Sequence, residues 1–230
     1  MNQDMQPAAE NAAIHSALYA LFAEAFAYPR GELLDTIRSG DLAQRLQSWV
    51  DRLGPALTRG VDWAALADAG DRDEALPAEF TRLFDPGTSA PPCSLHGGLH
   101  VGPQMITMEE VLRFYHHFGL APAADSRETP DHLSSELEFL HVLAFGEADL
   151  CSRGGDPTSY RLGRRDFIAR HPGRWVPVMR GKLAALQPLP FFLALTDLLA
   201  RLLAHELARL QAAHGEASLK VSGDLPFGGA

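Results

Sequence analysis

Only two cysteines occur in the 230-residue sequence, Cys93 and Cys151, and they stand in no paired or metal-type spacing. This excludes a disulfide-stapled scaffold and a zinc module, and it suits a reducing compartment. Positive charge is scarce too, with 20 Lys and Arg against 29 Asp and Glu for a formal net charge of −9. Non-specific attraction to nucleic acid or anionic lipid is therefore not expected, whereas a cationic partner is readily accommodated. The longest apolar stretch, residues 191–203, is interrupted by Thr196, Asp197 and Arg201, which argues against a membrane span. The N-terminal MNQDMQPAAENAA carries acid and amide residues where a secretory signal has positive charge and then an apolar run, so a cytoplasmic protein is expected. There is no internal repeat, no P-loop, no G-x-G-x-x-G and no G-x-S-x-G elbow, which leaves nucleotide chemistry and nucleophilic catalysis without a motif.

No window alternates β-branched and polar residues between hairpin turns; what the chain has is helical period, and the fold class read from it is all-α. Residues 11–28 place Ile14, Leu18, Leu21, Phe22 and Phe26 on one face before Pro29 stops the helix. The period continues over 31–53 with a break at Gly40, over a short helix at 62–69, and over 75–84 with Phe80, Leu83 and Phe84 inward. Residues 85–104, DPGTSAPPCSLHGGLHVGPQ, are too rich in proline and glycine for regular structure, yet Leu95, Leu99 and Val101 argue against disorder. An ordered functional loop is expected. Thr107 and Glu110 form a capping-box pattern for a helix ending at Gly119. Helices over 162–170, 174–186 and 189–213 complete a single globular domain of about ten helices. Its expected division is an N-terminal half over 1–120, a hinge over 121–131, a C-terminal half over 132–214 and a flexible tail over 215–230.

The chain is read around residues 129–145, TPDHLSSELEFLHVLAF. Thr129 suits a helix cap, Pro130 the first helical position, and Asp131 the positive end of the helix dipole. Glu138 and His141 make an E-x-x-H pair, but a di-iron bundle needs a second such pair and none occurs. His132 and Glu136 are four apart and suit a charge-assisted pair or two metal ligands, which do not make a metal site. Ser94 and His96 lack a readable acid partner. Arg164-Arg165 reads as a solvated helix face. The acids Asp125, Glu128, Asp131, Glu136 and Glu138, next to an apolar loop, describe a groove for a peptide with arginines and an apolar segment, since carboxylates receive guanidinium groups bidentately. They equally describe a helix terminus that these acids merely solvate.

Four motifs resemble one family. EFTRLF at 79–84 is similar to E-[YF]-x-x-L-F, PPCSLHGG at 91–98 to a Pro-rich loop, and PDHLSSELEFL at 130–140 to D-H-[LI]-x-x-E-L-x-F-L. DFIARHPGRWVPVM at 166–179 is similar to F-x-x-x-H-x-x-x-W-x-P, with His171, Trp175 and Pro177 at the matching places. Together they resemble the TorD/DmsD family of cytoplasmic redox-enzyme maturation chaperones. The resemblance implies an all-helical, non-enzymatic, system-specific chaperone without catalytic residues, metal or cofactor of its own. Its partners would be the apo form of a molybdopterin oxidoreductase of the dimethyl sulfoxide reductase type and that enzyme's twin-arginine leader. Leu83, Phe84, Pro91, Pro92, Ser94 and His96 in the loop region and Asp131 and His132 at the hinge are the implied leader site; Glu136, His171 and Trp175 complete the partner-binding set. His96 stands where many members have an aromatic residue, and Cys93 where some have tryptophan. A monomer and a domain-swapped dimer are both compatible with the hinge. Two rivals remain: a metal-dependent helical enzyme using His132, Glu136 and His141, and a plain helical interaction subunit.

Overall fold

The computed structural model describes residues 5–70, 74–85, 90–122 and 128–217. Twelve helices lie among them: α1 (Met5–Ala25), α2 (Gly31–Arg38), α3 (Asp41–Asp51), α4 (Pro55–Thr58), α5 (Trp63–Leu66), α6 (Ala75–Phe84), α7 (Gly98–Val101), α8 (Gln104–His117), α9 (Leu133–Ser152), α10 (Thr158–Arg170), α11 (Pro172–Ala185) and α12 (Pro190–His214). The excess over the expected number comes from α4 and α7, single turns too short for hydrophobic period to reveal, whereas α5 is the short helix expected at 62–69. Residues 86–89 of the expected loop, 123–127 of the hinge with Asp125, and 218–230 of the tail lie outside the described residues.

The core forms around α9 because that helix is apolar on more than one face: Leu133, Leu137, Phe139, Leu140, Leu143 and Ala144 are all buried. It lies antiparallel to α1. The Ser16 hydroxyl sits 2.9 Å from His141 Nδ1, and seven residues further along α1 the Ala23 carbonyl accepts from the Ser134 hydroxyl at 3.2 Å. Layered on this pair, α10, α11 and α12 contribute Phe167, Ile168, Trp175, Met179, Phe191, Leu195, Leu199 and Leu203 to one continuous cluster that extends from Ile14 to Leu210. Each such side chain, fully buried, contributes roughly 1.5–3 kcal/mol. Among the described residues no helix is long and apolar enough to cross a membrane.

Three local expectations are corrected. Helix α9 begins at Leu133 with His132 as its cap, the ring Nδ1 accepting from the Ser134 amide at 3.2 Å; the Thr129 hydroxyl is taken instead by the Asp131 carboxylate at 2.6 Å. Helix α8 starts one turn early, after Pro103, so Thr107 lies inside it and Glu110 pairs with Arg170 rather than reaching back to a cap. Arg164 is not on a solvated face. It is fully buried, bonded to Glu147 and Glu206, while Arg165 pairs with Asp166 and donates to the carbonyls of His214 and Gly215 at the end of α12.

Candidate peptide-binding groove

The Pro- and Gly-rich loop is held from three sides. The Cys93 amide donates to the Leu83 carbonyl at 3.0 Å, tying the loop to the end of α6. An isolated antiparallel bridge joins His96 to His132: the Gly97 amide donates to Asp131 O and the Leu133 amide to Leu95 O, both at 2.8 Å. His100 Nε2 donates to the Ser94 carbonyl at 2.8 Å, and its ring stacks on Trp175 with centroids 5.3 Å apart. Residues 90–104 make these contacts and carry the helical turn α7. Glycine is required at the bridge: a Cβ on Gly97 would lie 2.6 Å from Trp175 Nε1, and one on Gly98 2.5 Å from the Gln104 Cα.

Between this loop, the ends of α1 and α6 and the first turns of α9 lies a groove of about 840 Å³. Its apolar wall is a chain of edge-to-face rings: Tyr28 on Phe80 at 5.5 Å, Phe80 on Phe84 at 5.0 Å, and Phe84 on Phe192 behind them at 5.5 Å. Phe26, Leu95 and the small residues Ala20, Ala23 and Ala27 extend it. Glu24, Asp85, Glu128 and Glu138 line the rest, and among the described residues no Lys or Arg lines it. Three imidazoles, His96, His132 and His141, face the same space. The His96 and His132 rings meet edge-on at 5.0 Å, and His132 Nε2 lies 3.7 Å from Glu128. Burial lowers the His132 pKa against the pull of Glu128 and Asp131, and His96 lowers it further.

The expected site residues divide by depth. Phe84, His96 and His132 line the groove. Leu83 is buried beneath it, Pro91 is half-buried and Pro92 exposed on the loop, and the buried Ser94 hydroxyl accepts from the His96 amide at 3.0 Å, which makes a turn rather than a nucleophile. Asp131, expected to receive arginine, is fully buried; its carboxylate accepts from the Gly98 amide at 3.2 Å and from Thr129. Glu136 does not meet His132. It points inward, accepting from Trp175 Nε1 at 2.8 Å, and burial raises its pKa well above 4.5 against that hydrogen bond. His171 is buried against Phe114 and Phe167, its pKa lowered to about 3 by burial and by the charges of Arg170 and Arg174. Asp131, Glu136, His171 and Trp175 therefore build the wall behind the site. His132, Glu136 and His141 do not converge, and among the described residues no group of three or more His, Cys, Asp and Glu is disposed to hold a metal ion. The sequence left out Glu24, Phe26 and Tyr28, which only the packing of α1 against α9 brings into the groove. Asp85, next to the 79–84 motif, had a signal in its position.

A model of the nitrate reductase delta subunit family matches residues 40–180, more than half of the chain. The chain belongs to that TorD-like family. It is 35% identical over 132 residues to a perchlorate reductase assembly chaperone protein of Dechloromonas aromatica (strain RCB), a match covering 56% of this chain and 58% of the relative. It is 37% identical over 131 residues to a selenate reductase assembly chaperone protein of Thauera selenatis, covering 54% and 67%. With a dimethyl sulfide dehydrogenase assembly chaperone protein of Rhodovulum sulfidophilum it shares 34% over 165 residues, covering 67% and 63%. The chain thus spans less than two thirds of the perchlorate and dimethyl sulfide relatives' length in these matches. The nitrate reductase delta subunit stretch takes in α6, the loop, the bridge and the start of α9, whereas the α1 wall from Ala20 to Tyr28 lies outside it.

Proposed function

We propose that this protein is a non-catalytic, cytoplasmic assembly chaperone that binds the twin-arginine leader and apo form of a molybdopterin oxidoreductase of the dimethyl sulfoxide reductase type. The observation that carries the reading is the groove: aromatic on one wall, lined by four carboxylates and, among the described residues, without a lysine or arginine. Guanidinium groups of the leader pair with Glu24, Asp85, Glu128 and Glu138, and the following apolar segment lies along Phe84, Phe80 and Tyr28. The buried Asp131 acts indirectly, fixing the loop that forms one side of the groove. Occupying the leader delays export while the cofactor is inserted into the partner enzyme. The names of the relatives, each an assembly chaperone of a reductase or dehydrogenase, support the same role.

Calorimetric titration with a synthetic peptide containing two adjacent arginines and an apolar run tests this reading. Changing both arginines to lysine, which cannot form the bidentate fork, is expected to weaken binding about tenfold or more, and Glu138→Lys in the protein to do the same. Binding should also weaken as salt rises. An affinity indifferent to both changes would remove arginine recognition from the groove.

A further inference from the structure

Helix α9 presents its outer surface to two cavities. Seven residues make nearly two helical turns, so Ser134 and His141 share a face, and both line the groove. Ser135 and Val142, about 100° further round, share the next face, and both line a second pocket of about 220 Å³. Glu138 stands between the faces and borders both cavities, as does Glu128. The second pocket is walled by Tyr115, Leu120, Pro122, Pro130, Phe139 and Val142, again without lysine or arginine among the described residues. Its aromatic floor is internally satisfied: the Tyr115 hydroxyl donates to the carbonyls of Ser135 at 3.1 Å and Pro130 at 3.3 Å, and the Tyr115 and Phe139 ring centroids are 4.7 Å apart. What it offers a ligand is apolar surface beside two carboxylates.

We propose that this pocket is a second subsite of the peptide site, so that the bound segment crosses α9 at a saddle formed by Glu128 and Glu138. A guanidinium sits on the saddle, and an apolar side chain close to it in sequence enters the Tyr115, Phe139 and Val142 pocket. In an extended chain, residues two apart point the same way at a spacing of about 7 Å, which suits one side chain on each side of a ridge one residue wide. The occupant is therefore a cationic segment with a leucine- or phenylalanine-sized side chain next to its arginines, selected by charge at the ridge and by shape beyond it. This inference rests on the leader reading above.

The test uses fluorescence anisotropy with a labelled synthetic peptide of two arginines, a Phe-Leu pair and an alanine- and leucine-rich run, together with Phe→Ala and Leu→Ala versions. Ala121→Trp and Val142→Trp, both at exposed positions on the pocket's edge, block it independently, and far-UV circular dichroism checks that each folds. With the unmodified protein, one of the two alanine peptides is expected to bind about tenfold or more weakly. Both tryptophan variants should weaken the parent peptide by a similar factor and erase the difference between parent and alanine peptides, while sensitivity to arginine-to-lysine exchange persists. Variants that bind all peptides as the unmodified protein does would overturn the second subsite and leave the leader reading standing. Failure of the unmodified protein to bind the parent peptide would remove both. Dimerisation abolished by the tryptophan variants, with peptide affinity untouched, would assign the pocket to a second copy of the chain and overturn the proposal.

Discussion

Replacing Arg164 with methionine should unfold this protein at markedly lower temperature, although its place in the sequence reads as surface. Its guanidinium is fully buried; Nη2 donates to Glu147 at 2.6 Å and is ion-paired with Glu206 at 2.8 Å. Glu206 also lies 3.0 Å from His15 Nε2 and accepts from Arg209 at 2.7 and 2.9 Å, and Glu147 accepts from Arg161 at 2.7 Å. Burial pushes the Glu206 pKa up, but the charges of Arg164 and His15 and the hydrogen bonds from His15 and Arg209 hold it well below the usual carboxylate range. Removing one partner of a buried pair costs roughly 3–5 kcal/mol, because the other charge stays buried. Methionine retains the apolar volume, and Arg161 and Arg209 still neutralise the two carboxylates in part, which places the loss near the lower end, about 3 kcal/mol. For a domain of this size that is a fall of roughly 6–12 °C in Tm. Thermal and urea denaturation followed by circular dichroism read it. The combined variant Arg164→Met, Glu147→Gln, Glu206→Gln removes the orphaned charges and should recover much of the loss. A single variant within 1 kcal/mol of the unmodified protein, or a triple variant no more stable than the single one, would refute the reasoning.

Two further predictions concern the wall behind the groove. Glu136 has a pKa raised well above 4.5, so between 4.5 and its folded value the folded state holds a proton the unfolded state has released, and stability falls as pH rises, by up to about 1.4 kcal/mol per pH unit. Glu136→Gln keeps an acceptor for Trp175 Nε1 and has no proton to lose; urea midpoints across pH 5–8 should show a smaller decline for the variant, and parallel curves would show that Glu136 does not titrate in this range. Gly98→Ala places a Cβ against the Gln104 backbone and should cost roughly 1–3 kcal/mol, whereas Gly181→Ala, in an exposed turn of α11 with open space around it, should stabilise by about 0.5–1 kcal/mol. Equal effects at the two glycines would mean that the approach of α7 to α8 is not tight.

The helices were legible where period and punctuation agree. Residues 75–84 form α6 as the spacing of Phe80, Leu83 and Phe84 requires, and Gly40 separates α2 from α3 because it adopts φ 77°, a conformation glycine enters at little cost. Helix starts were less legible. Thr129 and Thr107 each carry a good capping side chain, but capping is a competition, and the Asp131 carboxylate and the turn at Pro103 won the two contests.

For the site, sequence determined which segments take part: the 79–84 helix, the 91–98 loop and the 130–140 signature all border or support the groove, and Phe84, His96 and His132 line it. It also set the acidic balance, since the chain has 29 acids against 20 bases. Tertiary structure alone decided which polar residues face out. Asp131, Glu136 and Arg164 have the composition of surface residues, and each is buried because its partner, the Gly98 amide, Trp175, or the Glu147 and Glu206 pair, arrives from a distant element. The α1 wall follows the same rule. Nothing local to Glu24 or Tyr28 connects them with His132; the antiparallel docking of α1 on α9 does, because burying two apolar helix faces against each other brings their polar borders to the rim of one groove.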